Sequence, residues 1–153
     1  WRLGYTIAPA ALVPHLVMLA VNSYTCTAEF TQYAAIEALR DREGATPKMV
    51  SEFRKRRDQF VADLNTVPGF SCQIPEGAFY AWVNIAETGM SAEEVCRIML
   101  EEAGVAGIPG VAFGDHGKEF VRFSFASSTA TLQEAVQRIT KVSTAWQGTP
   151  ASR

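Results

Sequence analysis

A chain of 153 residues can bury one good core or the parts of two small ones, and its net charge of −2 with a pI near 5.7 leaves no basic stripe for a phosphate backbone. Its longest apolar stretch, Leu16 to Val21, is far too short to span a bilayer, and Cys26, Cys72 and Cys96 are widely spaced without a Cys-x-x-Cys pair. Composition therefore argues against nucleic acid, a membrane span, a disulfide framework and a zinc site, and for a soluble protein of the reducing cytoplasm.

The first residue is Trp1 rather than Met, and Arg2 to Ala8 is strand-like from the outset, so the chain is expected to be the C-terminal piece of something longer. Ala10 to Val21 predicts an apolar helix, buried on most sides, with Pro14 tolerable only near its first turn. Thr27 can cap a second helix running to about Arg40, with Glu29 in its first turn. Beyond a charged turn, Asp41 to Ala45, Thr46-Pro47 supplies an N-cap and a first-turn proline for a long helix. Met49, Val50, Phe53, Phe60, Val61 and Leu64 recur there at helical spacing, and the run Arg54 to Arg57 between them predicts a solvated face.

From Val67 the grain changes to short strands. Phe70 to Ile74 and Ala78 to Val83, joined through Pro75-Glu-Gly77, predict a hairpin in which Tyr80 and Trp82 share a face opposite Phe79, as core aromatics. Ser91-Ala-Glu-Glu94 is a capping box that opens a helix ended by Gly104, and Val105 to Ile108 is a third strand. After loops at Pro109-Gly110 and Gly114 to Gly117 comes Phe120-Val-Arg-Phe-Ser-Phe125, and Thr131-Leu-Gln-Glu134 caps a last helix with Leu132, Val136, Ile139 and Val142 inward. Residues 147 to 153 should fray. The order from residue 46 implies a two-layer α/β domain with helices over one face of a mainly antiparallel sheet.

Alternation along the fourth strand places Phe120, Arg122 and Ser124 on one face and Val121, Phe123 and Phe125 on the other. An arginine among phenylalanines must reach solvent or meet a carboxylate. That partner is either a structural acid, such as Asp115 or Glu119, or the carboxylate of a bound small acid, which the guanidinium fork matches bidentately. His15 and His116 have no partner at ligand spacing, so no metal is expected.

Four stretches together resemble one family, the pyridoxal-phosphate-dependent aminotransferases of the aspartate aminotransferase fold (class I/II, fold type I). They are Trp1-Arg-Leu-Gly-Tyr5, Phe30-Thr-Gln-Tyr-Ala-Ala35, Pro75-Glu-Gly-Ala-Phe-Tyr80, and Gly104-Val-Ala-Gly-Ile-Pro-Gly-Val-Ala-Phe-Gly114 running on to Val121-Arg-Phe-Ser-Phe125. Their order and spacing cover nearly the whole chain. The resemblance implies that residues 1–45 are the C-terminal edge of the large pyridoxal 5'-phosphate domain and 46–153 the small α/β domain that closes over substrate. It implies that Arg2 binds the cofactor phosphate, that Arg122 clamps the substrate α-carboxylate, and that the parent is a homodimer acting on amino acids and 2-oxo acids. Tyr24-Thr-Cys-Thr27 departs from the family where many members carry a proline.

The resemblance implies that the Schiff-base lysine shortly precedes the first stretch and is not among the lysines of this chain. Lys48, Lys55, Lys118 and Lys141 lie on predicted solvated helices or loops, so the piece is expected to be inactive alone. Two readings stand: an aminotransferase, or an aminotransferase-like ligand-sensing domain fused behind a DNA-binding module in a transcriptional regulator. Lyases and synthases of the same fold share these motifs.

Overall fold

The computed structural model of the chain describes residues 1–41, 44–144 and 146. Arg42 and Glu43 of the expected charged turn, and residues 147–153, lie outside the described residues. The chain separates into two units, Trp1–Lys48 and Met49–Arg153.

In the first unit, Trp1 to Pro9 is irregular rather than a strand, since no segment among the described residues pairs with it and Arg2 itself turns to φ 62°. A strand needs a neighbour to take its backbone hydrogen bonds, and an apolar pattern alone does not supply one. Helix α1 (Val13–Ser23) carries Pro14 in its first turn, where the missing N–H is harmless. Within this chain none of its residues is buried, and Leu16, Val17, Met18, Leu19 and Val21 are all exposed, so the cover expected for so apolar a helix is not supplied by the described residues. Helix α2 (Glu29–Arg40) starts after Ala28, without a side-chain cap from Thr27, and buries only Thr31.

Helix α3 (Ala45–Leu64) begins one residue before the expected Thr46 cap, its first N–H donating to Asp41 Oδ2 at 3.2 Å. From Met49 onward it belongs to the second unit. There β1 (Ser71–Cys72), β2 (Tyr80–Asn84), β3 (Ile108–Pro109) and β4 (Phe120–Ser124) form one antiparallel sheet in the order β1-β2-β4-β3. Pro109 sits on the edge strand β3, the place in a sheet that tolerates a residue without an N–H. At the opposite edge Asn65 stands in for a fifth strand: its Oδ1 accepts from Cys72 N–H at 2.7 Å and its Nδ2 donates to Cys72 carbonyl at 3.0 Å.

Helix α4 (Ala92–Ala103) and helix α5 (Thr129–Ser143) complete the helical layer. Ser91 Oγ accepts from Glu94 N–H at 3.2 Å, but the Glu94 carboxylate pairs with Arg97 instead of returning to Ser91, so the capping box is half made. Gly104 ends α4 at φ 64°, a conformation costly to any residue with a Cβ. The cap of α5 is Ser128, not Thr131; Thr131 supplies the N–H that Ser128 accepts. The helices bury Phe60, Leu64, Val95, Met99, Val136 and Ile139 in one core with Ala81, Val83, Val121 and Phe123 of the sheet and Phe125 just beyond β4. Each such large side chain is worth about 1.5–3 kcal/mol of hydrophobic burial.

The run Arg54 to Arg57 is solvated only in its first half. Arg54 and Lys55 are exposed, whereas Arg56 and Arg57 are half-buried and donate to the carbonyls of Ser127 (2.8 Å) and Pro75 (3.1 Å). These two arginines fasten the loops before α5 and between β1 and β2 to α3, a role that charge alternation does not reveal.

Candidate functional site

Strand alternation sorts β4 into two faces, as its sequence predicts. Val121 and Phe123 are buried beneath the helices, while Arg122 projects to the opposite, helix-free face and Ser124 is exposed. The register sets Trp82 on β2 and Ile108 on β3 directly across from Arg122, so its cross-strand neighbours on both sides are apolar.

Neither acid proposed as a structural partner reaches it. Asp115 lies 3.7 Å from Lys118 Nζ, and among the described residues the Arg122 guanidinium makes no ion pair and no hydrogen bond to protein. It is instead faced by two rings: its central carbon stands 4.3 Å from the Tyr80 centroid and 4.5 Å from the Phe113 centroid. Phe113 meets Trp82 edge-on at 5.5 Å, and Trp82 stacks on Phe120 at 5.5 Å. Tyr80 and Trp82 are thus not core residues; at 36% and 37% exposure they wall the open face.

Phe113 belongs to a 3-10 turn, Gly110–Phe113, that follows β3 and leads into a second, Asp115–Gly117. Backbone presses on backbone here. A Cβ on Gly110 would stand 2.3 Å from the Gly117 carbonyl oxygen, and one on Gly117 would stand 2.0 Å from that of Gly110. Trp82 closes the same corner, its ring edge 3.0 Å from the Gly110 position. Phe113 carries no periodic signal in the sequence, which is why reading strands and helices misses it. Ser124, on the same face of β4 by alternation, accepts from the Ala126 N–H at 3.3 Å.

Arg2 is described within the first unit alone. Among the described residues it is one of three non-glycine residues with positive φ, and its guanidinium has no acidic partner. A mainly apolar hollow in that unit is lined by Leu3, Tyr5, Cys26, Gln32, Ile36 and Leu39 among others.

A helix-backed antiparallel sheet with this connectivity is the architecture of the C-terminal portion of the pyridoxal-phosphate-dependent transferases. The chain matches the family described as Aminotransferase class I and II over residues 1–139, and it belongs to that family. Members of the family depend on pyridoxal 5'-phosphate. The aspartate aminotransferase of Pyrococcus horikoshii is 42% identical over 143 residues, 92% of this chain and 37% of that protein. Aromatic-amino-acid aminotransferase 2 of Thermococcus litoralis is 40% identical over 144 residues, 93% of this chain and 37% of that protein. Among solved structures, the aromatic aminotransferase from Pyrococcus horikoshii OT3 superposes with a TM-score of 0.86 at 36% identity, covering 96% of this chain and 40% of that one. The chain thus spans little more than a third of the length of the curated relatives it matches.

Proposed function

We propose that the chain is part of an aminotransferase that moves an amino group between an amino acid and a 2-oxo acid with pyridoxal 5'-phosphate, and that Arg122 binds the substrate α-carboxylate. The observation that carries this reading is a guanidinium on an open sheet face with two rings against it and no acid from the protein among the described residues. Apolar neighbours strengthen its pull on an anion, because the local dielectric is below that of water. Its planar fork suits a carboxylate, and two N–H···O bonds fix the acid's orientation as well as its position. A carboxylate so held anchors one end of the acid and narrows the directions its α-proton can take, which contributes to the positioning that a proton transfer at that carbon requires.

The residues of the chain fit one part of the cofactor and not another. Arg2 offers a guanidinium free of acidic partners among the described residues, suited to a doubly charged phosphate, and we assign it that role. Lys118 is engaged with Asp115, and Lys48, Lys55 and Lys141 are exposed on helices α3 and α5, so the lysine that holds the cofactor is assigned to the rest of the parent and this chain to an inactive portion of it. When bound, the cofactor supplies the electron sink that lets the α-proton leave. The aminotransferase names of the curated relatives support an enzyme over a ligand-sensing domain of a regulator. On the same reading residues 1–45 are the edge of the large domain, 46–153 are the small domain, and the parent works as a cytoplasmic homodimer.

The test is Arg122→Lys in the full-length protein. Replacing the fork with a point charge should lower kcat/KM for amino acids about 10- to 100-fold, the range of one or two charged hydrogen bonds. Steady-state kinetics across a panel of amino acids measure it, and unchanged efficiency for all of them removes Arg122 from the site.

A further inference from the structure

We infer that Tyr80 and Phe113 are positioning residues for Arg122, clamping its guanidinium so that the N–H edges are presented to a carboxylate in a fixed direction. This inference rests on the carboxylate-clamp reading of Arg122 and deepens it. A free arginine side chain has many rotamers, most of which a bound acid would otherwise have to remove. Here the ordering is built in. The guanidinium carbon lies over both rings at 4.3 and 4.5 Å, an arrangement in which each ring's negative face attracts the cation without occupying any of its N–H donors. Acidic side chains would have consumed those donors; aromatic ones leave them to the substrate.

The two rings come from different elements, and each is itself held. Tyr80 lies on β2 in register with Ser124, two positions along β4 from Arg122, and its ring also contacts Phe79 at 4.6 Å. Phe113 is delivered by the turn that the Gly110 and Gly117 contact fixes, and Trp82 packs edge-on against it. Phe113 is 51% exposed, so the fold does not depend on burying it. Its fixed place against a cation calls for another reason than core packing.

The experiment uses the full-length protein loaded with cofactor. Single-turnover rates are measured for L-phenylalanine and for 2-phenylethylamine, the same molecule without its carboxylate, and their ratio is the benefit that the carboxylate confers. Phe113→Leu keeps the apolar bulk and removes the ring; it should lower that ratio about 5- to 10-fold, acting on the amino acid and leaving the amine rate unchanged, whereas Phe113→Tyr should restore it. Tyr80→Leu should do the same and Tyr80→Phe should restore it. If the leucine variants slow both compounds equally, or neither, the rings are structural and the inference fails. Arg122→Lys separates the two levels: a collapsed ratio there beside an unchanged ratio in the leucine variants leaves the clamp standing and removes the positioning role, while an unchanged ratio in Arg122→Lys removes both.

Discussion

The two units of this chain treat similar apolar residues in opposite ways. In the second, α3, α4 and α5 bring Leu64, Met99 and Ile139 to at most 1% exposure against the sheet. In the first, α1 leaves Leu19 at 66% and Met18 at 57%. The helices do not differ in apolar content to match, since α1 is the more apolar; they differ in that this chain supplies a sheet for α3, α4 and α5 to cover and, among its described residues, none for α1. Hydrophobic residues stabilise a fold only when something removes them from water, so an apolar helix by itself measures a need rather than a contribution.

The sharpest way to break this comparison is to make the units separately. Residues 49–153 should remain monomeric and melt cooperatively, whereas residues 1–48 should show no cooperative transition and the whole chain should associate through its first unit. Light scattering and thermal circular dichroism decide it, and a whole chain that stays monomeric while 49–153 aggregates would reverse the assignment.

A smaller effect sharpens it residue by residue. Met99→Ala should cost about 2–5 kcal/mol in the second unit, because it opens a cavity in a closed core, while Leu19→Ala should change the stability of the same chain by under about 0.5 kcal/mol. Urea unfolding followed by tryptophan fluorescence compares the two.

The smallest effect is chemical. Burial, with help from Glu93, pushes the Cys96 thiol up to about 11 from its ordinary 9.0, and burial also raises that of Cys72. The folded state holds this proton more tightly than the unfolded one, so the associated stability is full below pH 9.0 and is lost as pH rises toward about 11. Exposed Cys26 in the first unit should react with a thiol reagent at once, and the buried pair in the second only as it unfolds; denaturant melts and timed labelling at pH 8 and pH 10 check both.

How far the sequence disclosed all this follows from what each signal measures. Alternation along Phe120 to Phe125 places Arg122 on the right face because a strand's faces are set by backbone geometry, and the helices α4 and α5 are legible because their apolar stripes are local, although the cap of α5 falls at Ser128 rather than Thr131. Arg2 to Ala8 reads as a strand but is irregular here, because a strand is a relation between segments and apolar content says nothing of a partner. Arg56 and Arg57 were assigned to solvent because the carbonyls they bind lie 71 and 18 residues away in sequence. Phe113, in a turn set by two glycines, carries no period at all, and Tyr80 and Trp82 were assigned to the core because a half-buried pattern does not say which face the helices cover.

The contact between Gly110 and Gly117 has a consequence for how variants of this protein would be diagnosed. Neither glycine has a side chain to touch an acid, yet a methyl group on either must push the turn apart, since the atoms it would meet are main-chain oxygens that cannot rotate away. Phe113 rides on that turn, so the displacement would be passed to the ring against Arg122. Scored by its distance from the reacting atoms, such a variant would be filed under folding, while on the proposed role of Arg122 an assay would report poor recognition of the acid. The lesion and the symptom would sit on different residues.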